Sequence, residues 1–208
     1  MSQSEGTVII VDDDVDVRES LAAILSTAGI RTRCHASGAS LLHHPLPEGP
    51  TCLLLDLHLR EENGIQIQEA LQTSSPQLPI IFLSGQADVA SAVTALKRGA
   101  FDFLEKGSFT PQQLLALVGD TLNQHRLQLE KREHQAALQS RLAQLTPRER
   151  QVASRVADGK ANKVVAAELA ISERTVEIHR HNLLHKLQLR SAAQLAKLAP
   201  EINQLDAH

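Results

Sequence analysis

The sequence predicts an α/β unit with a doubly wound, five-stranded parallel sheet, followed by a helical linker and an all-α unit. Three observations predict this. Over residues 1–121, short runs of Val, Ile and Leu alternate with stretches of helical apolar spacing, the pattern of a parallel sheet with helices on both faces. From about residue 142 the strand-like runs stop, and capped helical segments follow one another. Charge divides at the same place: residues 1–140 carry 10 Lys/Arg against 17 Asp/Glu, a balance of -7, and residues 141–208 carry 11 against 7, a balance of +4. An acidic half joined to a basic half suggests domains with different partners, the basic one suited to a polyanion such as nucleic acid. The predicted divisions are residues 1–121, 122–141 and 142–208.

Hydrophobic residues make up 42% of the 208, enough for a core, but aromatics only 2%, with no Trp or Tyr. The cores must therefore be Leu, Val, Ile and Ala. No apolar run approaches the roughly 18–20 residues needed to span a bilayer, and the start "MSQSEG" lacks the basic flank and apolar stretch of a signal peptide. A cytoplasmic protein with no membrane partner is expected. Cys34 and Cys52 have no CxxC spacing and no zinc-type His pair nearby, so they are read as reduced, buried thiols.

Each element follows from a local pattern. "TVIIVDDD" is a buried strand ending in carboxylates, and "VRESLAAILSTAGI" is a helix with Val17, Leu21, Ile24, Leu25 and Ala28 on one face and Gly29 as its stop. "RTRCHASGASLLHH" has room for a strand and a short helix. "TCLLLDLHL" and "NGIQIQEALQTS" are the third strand and helix, "LPIIFLSG" and "DVASAVTALKRGA" the fourth, and "FDFLEK" the fifth strand. "TPQQLLALVGDTL" is a helix with Thr110 as N-cap and Pro111 at its first position.

In such a sheet the functional crevice lies at the carboxyl ends of the strands, near the switch point of strand order. Asp12, Asp13, Asp56, Ser84 and Lys106 all stand at strand carboxyl ends. Three converging carboxylates repel one another unless a cation sits among them, and hard oxygen donors in a shallow crevice suit Mg²⁺. Asp14 and Asp16 are read instead as residues that cap the first helix.

On the pieces "IIVDDD", "LLLDLHL", "IIFLSG" and "GAFDFLEK", residues 7–120 resemble the receiver domain of two-component response regulators. The resemblance implies that Asp56 accepts a phosphoryl group from a sensor histidine kinase. It implies that Asp13 binds Mg²⁺ directly and Asp12 through water, with Asp56 and the backbone carbonyl of His58 completing the protein ligands. Ser84 would hydrogen-bond the phosphoryl group, Lys106 would pair with it, and Phe103 would turn inward on activation. Two stretches depart from the family. Lys106 is followed by Gly107 rather than Pro, so a trans peptide and a looser loop are expected. The loop after Asp56 reads "LREENG" (residues 59–64), with Arg60 in the place of Pro. These departures keep open a second possibility, a degenerate receiver controlled by protein contact. A phosphohydrolase of the haloacid-dehalogenase kind would need an Asp two residues after Asp56, where His58 stands; the chain is not expected to be an enzyme.

In the basic half, Thr146, Pro147 and Glu149 form the start of a helix with a capping box, stopped by Gly159. A second helix covers residues 161–169, and Ser172 caps a third that runs to about Leu187 with Val176, Leu183, Leu184 and Leu187 inward. Helix, tight turn, helix is the helix-turn-helix motif, and "SAAQLAKLA" supplies a fourth helix. Through "LTPRE", "NK", "LAISERTVEIHRHNLLHKL" and "RSAAQL" the block resembles the LuxR-type DNA-binding domain. By that resemblance the third helix enters the major groove of double-stranded DNA. Glu177, Ile178 and His181 would face bases, while Lys163, Arg174, Thr175 and Arg180 would face phosphates. His181 and His185, four apart, have no third ligand in view, so a metal site is not expected there.

Residues 121–145 contain no Pro or Gly and are rich in helix formers; the last receiver helix is expected to extend into the linker, with a coiled coil left open. The whole resembles a response regulator of the FixJ/NarL type: a transcription regulator that needs Mg²⁺, a kinase and DNA, with a homodimer formed on phosphorylation or DNA binding and RNA polymerase as a further expected partner.

Overall fold

The run TVIIV forms strand β1 (Thr7–Val11), and all five of its residues are buried. A computed structural model describes residues 6–85 and 89–205, and its residues divide into two compact units, Met1–Lys131 and Arg132–His208. After β1 come α1 (Val15–Thr27), β2 (Arg31–His35), α2 (Gly38–Leu42), β3 (Thr51–Asp56), α3 (Gly64–Ser74), β4 (Ile80–Ser84), α4 (Val89–Lys97), β5 (Asp102–Glu105) and α5 (Pro111–Ala143). Asp88, in the segment read as the start of the fourth helix, lies outside the described residues.

The strands are ordered β2-β1-β3-β4-β5, and every pair is parallel. The chain steps outward from β1 to β2, then crosses back to β3, so the switch point lies between β1 and β3. Both faces of the sheet are covered, and strand parity decides which residue goes where. Val8, Ile10, Cys52, Leu54, Ile81 and Leu83 pack under Leu21 and Leu25 of α1 and Leu114, Val118 and Leu122 of α5. Ile9, Val11, Leu53, Leu55 and Phe82 pack under Leu41 of α2, Ile67 and Leu71 of α3 and Ala95 of α4.

Asp14 caps α1, its side chain accepting from the N–H groups of Asp16 and Val17, and Asp16 stands in the first turn. Thr110 and Gln113 cap α5 reciprocally. His125, farther along α5, is buried and accepts the N–H of Thr51 at its Nδ1, 2.9 Å away. This unprotonated nitrogen ties α5 to the start of β3. One cysteine corrects the sequence expectation. Cys52 is fully buried, and burial pushes its thiol up, but Cys34 is exposed. It lies on β2, an edge strand of mixed exposure, where one side of the ladder has no neighbour to cover it.

The second unit holds α6 (Pro147–Ala157), α7 (Asn162–Leu169), α8 (Glu173–Lys186), α9 (Ala192–Ala196) and α10 (Ala199–Leu205). Leu142, Leu145, Val152, Val156, Val165, Leu169, Val176, Leu183, Leu187 and Leu195 form its aliphatic core. The turn between α7 and α8 passes through Ala170 at φ 53°, a left-handed conformation that costs an L-residue about 1–2 kcal/mol. Ile171 follows, and Ser172 caps α8 through the Thr175 N–H. The segment read as a fourth helix, 191–199, holds the shorter α9, which ends at Ala196; a further helix not foreseen, α10, follows with Pro200 in its first turn, where a missing N–H is tolerated. Among the described residues, no helix is long and apolar enough to cross a membrane.

Glu149 links α6 to α8. Its carboxylate accepts the Thr146 N–H at 2.8 Å, completing the capping box, and the Lys186 ammonium at 2.7 Å. Burial alone would raise its pKa, but Lys186 and the Thr146 bonds outweigh it and hold the carboxyl below its ordinary value.

Two predictions follow from this packing. A Cβ on Gly64 would meet the Asp56 carbonyl oxygen at 2.5 Å and Phe82 at 2.9 Å. Gly64→Ala should therefore destabilise the first unit by about 1–3 kcal/mol, read from the urea midpoint. Because the folded pKa of Glu149 is depressed, its contribution is fully present above the unfolded carboxyl value of about 4.3 and is lost as pH falls through the folded value. Glu149→Gln should lose about 1–3 kcal/mol at neutral pH. Its stability should also fall less between about pH 5 and 3 than that of the parent chain, which urea unfolding followed by circular dichroism checks.

Candidate functional site: an acidic sheet edge and a helix-turn-helix face

Asp12 follows β1 and Asp56 ends β3, and these strands are neighbours in register, with Val11 opposite Leu55. The fold thus sets two carboxylates side by side at the switch point. Asp12 is fully buried and Asp56 nearly so. Asp12, Asp13 and Asp56 each offer an oxygen, all within 4.8 Å of one another. Lys106, just past β5, reaches across with its Nζ 2.7 Å from Asp12 and 2.9 Å from Asp56. Its backbone N–H donates to the Ser84 carbonyl at 2.6 Å, which ties the ends of β4 and β5 together.

The electrostatics follow from this arrangement. Burial pushes the Asp56 carboxyl up, and the charge of Asp12 adds to the rise; Lys106 opposes both without cancelling them. Burial works against the Lys106 ammonium, yet the two carboxylates hold its pKa above the ordinary value. Asp12 Oδ2 has Lys106 beside it as an ion pair, but no donor aligned to it as a hydrogen bond. Buried carboxylate oxygens with an incomplete donor set, converging from three residues, can hold a hard divalent cation.

The remaining expected residues take distinct places. Ser84 is fully buried at the end of β4. The His58 N–H folds back on Asp56 Oδ1 at 3.3 Å, which keeps the backbone of His58 at the triad. Phe103 sits on β5 opposite Phe82, half-buried against the core beneath α3 and α4.

Both departures from the family pattern have a geometry. The Lys106–Gly107 peptide is trans, and Gly107 takes φ 82°, a conformation closed to Pro, whose ring fixes φ near -65°. Residues 59–64 are braced rather than loose. Arg60 Nε lies 2.9 Å from Asp13 Oδ2, and the Glu62 carboxylate accepts the N–H groups of Gly38 and Ala39 at the start of α2. Sequence reasoning missed these contacts and that of Arg18, whose guanidinium donates to the Asp12 carbonyl at 2.6 Å. For Arg60 the signal was a cation four residues after Asp56; the contacts of Glu62 and Arg18 had none in the local pattern.

In the second unit, Lys163, Arg174, Glu177 and His181 are exposed, and Ile178 is 53% exposed. Thr175 is half-buried, its hydroxyl 2.7 Å from that of Ser172. Arg180 is half-buried and donates to Asn162 of α7, so it helps lock the two helices of the motif. Val176 and Leu183 are buried and Leu184 partly so, which turns the opposite face of α8 outward. Arg155 and Lys160 are engaged by Glu168 within the unit.

Residues 8–119 match the response regulator receiver domain, and residues 143–199 match the bacterial regulatory proteins of the luxR family. The response regulator protein TmoT of Ectopseudomonas mendocina is 35% identical over 202 residues, covering 97% of this chain and 91% of that one. The C4-dicarboxylate transport transcriptional regulatory protein DctR of Rhodobacter capsulatus is 40% identical, covering 92% and 98%. Among solved structures, the response regulator StyR aligns with a TM-score of 0.87 at 38% identity over 94% of this chain and 98% of that one. With both domain matches in chain order and relatives of this identity aligned over nearly their whole length, the chain belongs to the response regulators that join a receiver domain to a luxR-family domain and regulate transcription in two-component systems.

Proposed function

We propose that Asp56 is the residue that takes the phosphoryl group from a sensor histidine kinase, and that the exposed face of α8 reads double-stranded DNA. The observation that carries the first part is the Lys106 bridge across Asp12 and Asp56. It holds the acceptor carboxylate at the sheet edge with a positive charge already beside it.

An Asp56 oxygen attacks the phosphorus, the bond from phosphorus to the kinase imidazole breaks, and the imidazole leaves with its electron pair. Negative charge spreads over the equatorial oxygens as this happens. The Lys106 ammonium is placed to follow those oxygens, and the Ser84 hydroxyl, at the end of the neighbouring strand, is the donor assigned to them. Asp12 and Asp13, with Asp56 and the His58 carbonyl, would hold Mg²⁺, which neutralises part of that charge when bound. Lys106 then leaves its carboxylate partners for the phosphoryl group. Its backbone tie to Ser84 passes the change to β4 and β5, and Phe103, three residues before Lys106, is the side chain that reports it. The receiver is assigned to residues 1–121 and the DNA-binding domain to 142–208, joined through α5.

On α8, Arg174, Thr175 and Arg180, with Lys163 of α7, are assigned to phosphates, and Glu177, Ile178 and His181 to base edges. A single small module buries little surface on DNA. A phosphorylation-promoted homodimer would engage two half-sites about one helical turn apart and gain avidity from the second contact.

Asp56→Asn should abolish the phosphoryl mass gain that the parent chain shows with Mg²⁺ and a small-molecule phosphodonor. A gain at the parent level would remove Asp56 from its role. Arg174→Ala should weaken DNA binding evenly across sequences and reduce the salt slope by about 1, whereas Glu177→Ala should change base preference at one position per half-site; fluorescence anisotropy over a salt series separates the two.

A further inference from the structure

We infer that Arg60 is a built-in competitor of the divalent cation: its guanidinium holds Asp13 and must give way before Asp13 can ligate Mg²⁺. This inference rests on the assignment of the acidic triad as a Mg²⁺ site.

The charges divide in a specific way. Lys106 serves the two inner carboxylates, Asp12 and Asp56. The third, Asp13, is served by Arg60, with Nε 2.9 Å from Oδ2. Three carboxylates thus face two protein cations, and the site carries a net charge of about -1 rather than the -2 that Lys106 alone would leave. A divalent ion approaching Asp13 meets a guanidinium on one of that carboxylate's oxygens, and the two cations repel each other at short range.

Arg60 is built to yield. Its side chain is 82% exposed, against 24% for Asp13, so the guanidinium can swing into water at little desolvation cost. Its backbone, by contrast, is held on both sides. His58 pairs with Asn63 across the loop, Glu62 is bound to Gly38 and Ala39, and Asn63 caps α3. The loop therefore keeps presenting Arg60 at Asp13 while the side chain itself remains free to leave. A groove of about 340 Å³, lined by Asp13, Ser37, Leu59, Arg60 and Glu62 among others, gives the ion and its waters an approach on this side. The receiver's readiness for phosphoryl transfer is set, in this scheme, by the Mg²⁺ concentration needed to displace Arg60.

The test is calorimetric titration of the full chain with Mg²⁺ alone, at low and high ionic strength, for the parent, Arg60→Ala, Arg60→Lys and Asp13→Asn. An exposed pair of this kind supports an effect of about two- to fivefold. Arg60→Ala should bind Mg²⁺ tighter by that factor at low ionic strength, and the gap should close at high ionic strength as screening removes the guanidinium's influence. Arg60→Lys, which keeps the charge, should stay near the parent. Unchanged or weaker binding by Arg60→Ala, with Asp13→Asn still impaired, overturns the competitor role and leaves the metal assignment standing. If the parent shows no Mg²⁺ binding, or if Asp13→Asn binds as the parent does, the metal assignment falls and the competitor role with it.

Discussion

The repulsion among three carboxylates gathered at one sheet edge is the constraint around which the receiver is arranged. A parallel sheet with its switch point between β1 and β3 cannot avoid setting the residue after β1 beside the last residue of β3, and both are Asp. Inside a poorly solvated edge such a pair costs free energy unless positive charge is supplied. Lys106 supplies it from two strands away, at the expense of its own desolvation. The balance is incomplete, since Asp56 remains shifted upward. An edge that needs more positive charge than the protein gives it is chemically suited to a divalent ion.

The same economy of contacts governs the loops at this edge. Where the family pattern would have Pro after the lysine, Gly107 takes a left-handed turn that Pro could not enter. Where it would have Pro after Asp56, Arg60 turns back onto Asp13 while Glu62 fastens the loop to α2. The first replaces a rigid ring with a free backbone turn, the second with specific interactions. Residues 59–64 are in consequence tied down by charge and hydrogen bonding rather than left loose.

In the helical unit, structure and recognition compete for the same polar groups. Lys186 is committed to Glu149, and Arg155 and Lys160 to Glu168. These contacts hold the helix-turn-helix geometry but remove cations from the pool that could meet phosphates. What stands outward on α8 mixes Arg174 with Glu177, Ile178 and His181, and Arg180 is half-buried beside Asn162. That surface suits contact with base edges as much as electrostatic attraction to the backbone.

Much of this was legible in the sequence. Val, Ile and Leu runs ending in Asp12, Asp56 and Ser84 mark the ends of β1, β3 and β4, because burial on both faces demands unbroken apolar strands and the polar residue at the end marks the edge. Thr110, Thr146 and Ser172 announce helix starts, because a capping hydroxyl satisfies N–H groups that the helix cannot. Tertiary structure decided the rest. That Lys106 bridges Asp12 and Asp56, that Arg60 finds Asp13 across 47 residues, and that His125 reaches Thr51 across 74 are matters of side-chain direction after packing, which no local pattern encodes. The exposure of Cys34 depends on β2 lying at the sheet edge, and the break between α9 and α10 on how Pro200 is accommodated. Local chemistry determines what each segment becomes, and the order in which the segments are laid side by side determines which charges must meet.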